Sequence, residues 1–196
     1  MNTTFKNRLI AYLIDFFIML IFIALISFVL NSKNTNIINL NVELDALKDS
    51  FLNKKINFDI FLHNYADIAY DIDKYQVLNY IADAIFILCY FVIMPFLCNG
   101  QTIGKKIAHI KVVEMNDNYL GINNLMMRSF ITTGILSMLI SLALIYLVPG
   151  WVYFITVSII NFIQFSLVII SVFMIIYRRD KCGLEDIIGR TKVVKE

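Results

Sequence analysis

Apolar side chains run almost unbroken through residues 9–30, 77–98, 129–148 and 152–177, while charged and amide residues gather between the runs. A stretch of about 18 or more mainly apolar residues matches a hydrocarbon core roughly 30 Å thick. Each of the four runs therefore predicts a transmembrane helix. The 31–76 segment has another texture. Leu40, Leu44, Leu47 and Phe51 recur at helical spacing, and so do Phe58, Phe61, Leu62, Tyr65 and Ile68. That period predicts two amphipathic helices forming a small cap outside the bilayer. In the 99–128 segment, Ile107, Ile110 and Val113 are interleaved with Lys105, Lys106 and Lys111. This reads as a basic amphipathic stretch on the inner leaflet, where anionic lipid rewards each basic residue by about 1 kcal/mol. Residues 178–196 form a charged tail. The expected fold class is all-α, with residues 1–196 as one polytopic membrane domain: four transmembrane helices, an extracytoplasmic helical loop and a cytoplasmic amphipathic segment.

Composition strengthens this picture. With 59% hydrophobic and 16% charged residues in 196, and a mean hydropathy of +0.73, an ordinary soluble domain is excluded and the lipid bilayer becomes the solvent. Charge placement then sets orientation. Of the seventeen basic residues, twelve stand near the chain ends or in 99–128: Lys6, Arg8, Lys105, Lys106, Lys111, Arg128, Arg178, Arg179, Lys181, Arg190, Lys192 and Lys195. The 31–76 segment holds five lysines against seven acids. The positive-inside bias places both termini and the 99–128 loop on the cytoplasmic side of a bacterial cytoplasmic membrane. Trp151, Tyr146 and Tyr153 flank the Pro149–Gly150 turn where an interfacial aromatic belt belongs. The first apolar run is about twice as long as a signal-peptide core, so it is expected to stay as a helix.

Few residues suggest chemistry. Cys89, Cys98 and Cys182 form no pair suited to an oxidising compartment, and no Cys/His cluster has metal spacing. His63 and His109 read as isolated surface residues. Only three residues separate Gly100 from Gly104 where a phosphate loop has four, and Lys106 stands where it requires a hydroxyl, which argues against a nucleotide site. No nucleophile set or cofactor motif occurs, so neither an enzyme nor a cofactor is expected, and no nucleic-acid partner.

The polar residues inside the apolar runs carry the argument. An aspartate at mid-helix costs about 2.5–3.5 kcal/mol on insertion scales, so Asp15 and Asp83 are expected to face a bundle interior or wet cavity and to find partners. Arg8 precedes Asp15 by seven residues, within about 20° on the same helix face, with Ala11 between them. The pair predicts a sheltered polar pocket shared by acid and guanidinium. Asp15 lies about 9 Å in from one side and Asp83 about 9 Å in from the other, too far apart for a dyad. Gly134, Ser137 and Ser141 make a small-residue face. Ser158, Asn161 and Phe165 share another, and for these and Gln164 helix packing is the expected role.

These features sit within a larger pattern. The first span reads R-x-x-A-x-x-x-D, the segment after the second reads N-G-Q-T-x-G-K-K-x-x-x-I-K-V-V, and the tail reads R-R-D-K-x-G-L-x-D-x-x-x-x-T-x-V-V. In that order they resemble the RDD family of small multispanning bacterial membrane proteins. The resemblance implies that Arg8, Asp15 and Asp186 are the family's name residues. Glu185 stands where the family often has histidine and Arg190 where it often has a small residue. It further implies a transport role, with cation/proton antiport among the activities. On that expectation Arg8, Asp15, Asp186 and Asp83 couple protons and monovalent cations. Gly100, Gln101, Thr102, Gly104, Lys105 and Lys106 line the inner mouth or contact lipid. A homodimer is compatible with so few spans. The competing expectation is a non-catalytic membrane scaffold or partner-binding subunit in which Arg8, Asp15 and Asp186 form a structural lock.

Overall fold

The computed structural model describes residues 4–31, 34–116 and 119–196, so residues 32–33 of the predicted outer segment and 117–118 of the predicted inner one lie outside the described residues. Helix α1 (Phe5–Asn31) is apolar on all sides, and most of its surface faces outward, as a lipid-facing span requires. Two helices follow, α2 (Thr35–Leu52) and α3 (Phe58–Tyr75), matching the predicted cap. Phe51 and Phe61 stack between them at 4.6 Å. The cap docks on the start of α9 (Gly150–Tyr177) through aromatic pairs: His63 on Trp151 at 4.0 Å, Tyr65 on Phe154 at 5.7 Å and Tyr70 on Tyr153 at 5.3 Å. His63 is thus exposed but not isolated, since its ring covers the tryptophan. Asp73 fastens this end by accepting from the Tyr80 hydroxyl at 2.6 Å and the Tyr153 hydroxyl at 3.0 Å.

The second span is continuous from Val77 to Leu97 but changes pitch. It runs as α4 (Val77–Leu88), a π-helical turn (Cys89–Ile93) and α5 (Met94–Leu97). Pro95 has no N–H to offer the preceding turn, and the helix widens just before it, with Met94 N–H reaching back to the Cys89 carbonyl. The wide turn carries Tyr90, buried toward α1.

The predicted 129–148 span is not one straight helix. It comprises the end of α7 (Ile122–Thr132) and all of α8 (Ile135–Leu147), and the two are bent by 75°. Gly134 adopts φ 70 at the break, a left-handed conformation that ends a helix and that glycine tolerates. The freed backbone is answered by side chains. Gln164 of α9 donates its Nε2 to the Ile131 carbonyl at 2.7 Å, and Ser137 donates to the Gly134 carbonyl at 2.7 Å. The packing role expected for Gln164 is therefore specific: it satisfies a carbonyl that the bend exposes. Alone, the thirteen residues of α8 rise only about 20 Å, short of a bilayer core. Among the described residues three helices are long and apolar enough to cross a membrane, and the bent pair counted as one span makes four.

The 99–128 segment departs furthest from expectation. It does not lie on a leaflet as one amphipathic stretch. It forms α6 (Ile103–Ile107), which packs on α1, then β1 (Ile110–Glu114), which pairs antiparallel with β2 (Thr191–Lys195) of the tail, Val112 opposite Val193. Directly before β2 in the chain comes α10 (Leu184–Ile188). Alternation along the strand turns Ile110 and Val112 inward, where they join Ala11, Val92, Leu125 and Val193 in a protein core. Along β1 the period is two, not 3.6, so Ile110 and Val112 are covered by protein instead of by lipid, while Ile107 stays exposed. This core lies at the end of the helices where the first turn of α1 meets the tail.

Candidate functional site

At that end, two polar networks are set side by side. The first surrounds Asp15, which is 4% exposed. Its Oδ1 accepts from the Tyr90 hydroxyl at 2.5 Å and from the Gly104 backbone N–H at 2.8 Å, and its Oδ2 accepts from the Thr102 hydroxyl at 2.6 Å. The carboxylate therefore caps α6. Backbone N–H groups at a helix start lack intrahelical partners and carry positive partial charge, so an anion there is stabilised. Thr102 closes the cap by accepting from the Lys105 N–H at 3.3 Å.

Four letters of N-G-Q-T-x-G, Gly100, Gln101, Thr102 and Gly104, gain a physical reason. The Gly100 carbonyl accepts from Val112 N–H at 2.9 Å, and a Cβ at Gly100 would overlap the Val112 carbonyl. Gln101 donates to the Ile110 carbonyl at 3.2 Å and to Glu196 at 3.1 Å, covering the outer edge of β1. Gly104 is fixed by its closeness to α1: an added Cβ would overlap the Ala11 carbonyl and stand 2.7 Å from Asp15 Oδ1. Ala11, itself buried, gives the matching small surface on α1. Gly100, Gln101, Thr102 and Gly104 are buried by protein and do not contact lipid; Lys106 is exposed and Lys105 half-buried.

The second network centres on Asp186, fully buried in α10. Its Oδ2 receives Arg8 at 2.6 Å and the Gly183 N–H at 3.0 Å, and its Oδ1 receives Arg128 of α7. Arg128 also donates to the Thr191 hydroxyl at 3.1 Å and pairs with Glu185 at 3.8 Å. Glu185 in turn accepts from the Ser171 hydroxyl of α9. Two guanidiniums thus meet two carboxylates, and α1, α7, α9 and α10 are tied at one point. Burial pushes the Asp186 carboxyl up, but Arg128 and Arg8 outweigh it and hold it below the usual carboxylate range. Lys105 sits between the networks. Burial, then repulsion from Arg128, pushes its amine down to about 8 against the attraction of Asp15, Asp186 and Glu185.

The pocket expected for Asp15 is therefore real in its shelter and different in its partners. Arg8 forms its ion pair with Asp186, across 178 residues of sequence, and not with Asp15. Seven residues along a helix place both side chains on one face but about 10 Å apart in backbone rise, and each finds a closer partner on another element. Asp83 belongs to neither network. It is buried in α4, and its Oδ1 has no hydrogen-bond partner among the described residues.

The sequence reading missed Tyr90, Arg128 and Ser171 as site residues. Arg128 carries a signal in the sequence, a guanidinium directly before an apolar run. Tyr90 and Ser171 resemble ordinary residues of an apolar helix, and only the packing of the helices reveals their partners. Among the described residues no cluster of His, Cys, Asp and Glu can hold a metal ion. Comparison with curated proteins and with solved structures returns no match. The RDD family model matches residues 3–190, nearly the whole chain and every residue of both networks except Thr191, and on that match the chain belongs to the RDD family.

Proposed function

We propose that two adjoining networks, Arg8 with Asp186 and Asp15 with its own three donors, together act as a structural lock, and that this membrane protein is a non-catalytic scaffold holding the loop and tail of its cytoplasmic face in one fixed arrangement. The observation that carries the reading is saturation. Asp15 receives three donors and Asp186 receives two guanidiniums and a backbone N–H, so every oxygen of the two carboxylates already has a protein donor. Breaking a buried pair by removing one partner costs about 3–5 kcal/mol, because the charge left behind stays buried. Thermal unfolding of the full chain in detergent tests the lock. Arg8→Leu and Asp186→Leu should each destabilise strongly, and the double variant should lose less than their sum, with a coupling of about 0.5–3 kcal/mol. Additive losses would remove the basis for the lock. The orientation with both termini cytoplasmic, in a bacterial cytoplasmic membrane, is part of the same proposal.

One observation favours a second reading, transport of a monovalent cation against protons. Asp83 is a buried carboxyl with an unpartnered oxygen inside a span, and such a group is stabilised by taking up a proton or a cation. On this reading the coupling residue is Asp83, while Asp15, Arg8 and Asp186 hold the inner end rigid. Proteoliposomes carrying Na, K or Li gradients separate the two. Cation-driven proton flux that Asp83→Asn abolishes while the melting temperature holds favours transport; no flux in the unaltered protein leaves the scaffold.

A further inference from the structure

We propose that α9 is the contact surface for a second copy of this chain, the two α9 helices packing through Asn161 against the partner's Asn161 near the middle of the bilayer. Helix α9 has 28 residues and is about 42 Å long, and Asn161, about 16 Å from its start, lies within about 4 Å of the midpoint. At that depth water is scarce and a polar group must find its partner in protein. Three other polar residues of α9 near it have done so. Thr156 and Ser166 return hydrogen bonds to carbonyls of their own helix, and Gln164 reaches Ile131. Asn161 is exposed, and none of the hydrogen bonds among the described residues uses its amide. It is flanked by Phe162 and Phe165, 72% and 64% exposed, so the amide stands in an otherwise apolar face.

The hydrogen-bonding capacity of the amide selects the occupant. An asparagine carries both donors and an acceptor, so it is complementary to itself. Two copies inserted with the same topology are related by a two-fold axis along the membrane normal, which brings each residue near α9 opposite its own equivalent at equal depth. A lipid tail offers neither donor nor acceptor. An unrelated helix would need an amide at this same level. Ser158, one turn before Asn161 on the same side and also exposed, is small enough to let the backbones approach. The inference is independent of the lock and of the transport reading, because Asn161 touches neither network.

The full chain in liposomes, labelled for single-molecule energy transfer over a range of protein-to-lipid ratios, gives the association constant directly. Asn161→Leu should weaken association about three- to twenty-fold, the range expected when an interhelical hydrogen bond is lost in a membrane. With Cys89, Cys98 and Cys182 replaced by alanine, oxidised Asn161→Cys should cross-link to twice the mass of the chain. Ile159→Cys, at similar depth but about 160° around the helix, should not. A chain monomeric at every density, an Asn161→Leu protein that associates as tightly as the unaltered one, or a cross-linked product containing a different protein would each overturn the proposal.

Discussion

A carboxylate within an apolar helix is costly only while it lacks donors, and Asp15 has three from two other elements. Hydrogen bonds to a charged group contribute about 1.5–3 kcal/mol each. Tyr90→Phe and Thr102→Val should therefore each lower stability by about that amount, measured by denaturation in detergent, and each effect should shrink in an Asp15→Asn background. Arg8→Leu and Asp15→Asn should be nearly additive, since the two residues serve different networks. Lys105 gives a dependence on pH with a definite sign. Its amine is held at about 8, below an ordinary lysine near 10.4, so over that interval the unfolded chain binds more protons and folded stability rises with pH. Below about pH 8 the buried charge is carried in full. Lys105→Met should raise stability there and flatten the rise, as read from melting temperatures between pH 7 and about 10. Asp186 runs oppositely at the acid end: its depressed carboxyl contributes stability above the ordinary aspartate range, and this is lost as pH falls through the folded value.

At the scale of elements, two contacts decide the architecture of the terminal end. Helix α6 has only five residues and too few internal hydrogen bonds to persist alone. It exists because Asp15 and Thr102 cap it and because Gly104 lets it lie on Ala11. Gly104→Ala should separate α6 from α1, and amide exchange should then accelerate across α6 and β1 together, since β1 follows within three residues. The bend between α7 and α8 is the second contact. Gly134→Ala places a Cβ on a left-handed backbone and should destabilise by about 1 kcal/mol or more without displacing α9, because Gln164 keeps its bond to Ile131. An unchanged melting temperature would mean that the bend is set by packing alone.

For the whole molecule, the largest polar clusters lie at two ends: the Asp73 cluster with Tyr80 and Tyr153 under the cap, and the Asp15 and Asp186 networks beneath the small sheet. The bilayer lies between. Single cysteines at Lys48 and Lys195 should therefore label from opposite faces of sealed cells with an impermeant reagent, Lys48 from outside. Labelling of both from one side would reverse the topology.

Apolar run length determined the spans, and the 3.6-residue period determined the cap, because both depend on local composition that every solvent-facing arrangement must respect. The order of the three motifs likewise placed the site residues within a known family. Other features were not legible. The pairing of Arg8 with Asp186, 178 positions apart, depends on how the tail folds back. The strand nature of Ile110–Glu114 depends on a partner strand at the far end of the chain, since five residues alternate too briefly to distinguish sheet from helix. The 75° bend rests on a glycine whose left-handed conformation is stabilised by a glutamine two elements away. Local pattern fixes what each segment does in its solvent, whereas partner choice among buried charges is a competition over distance, and distance exists only once the chain has folded.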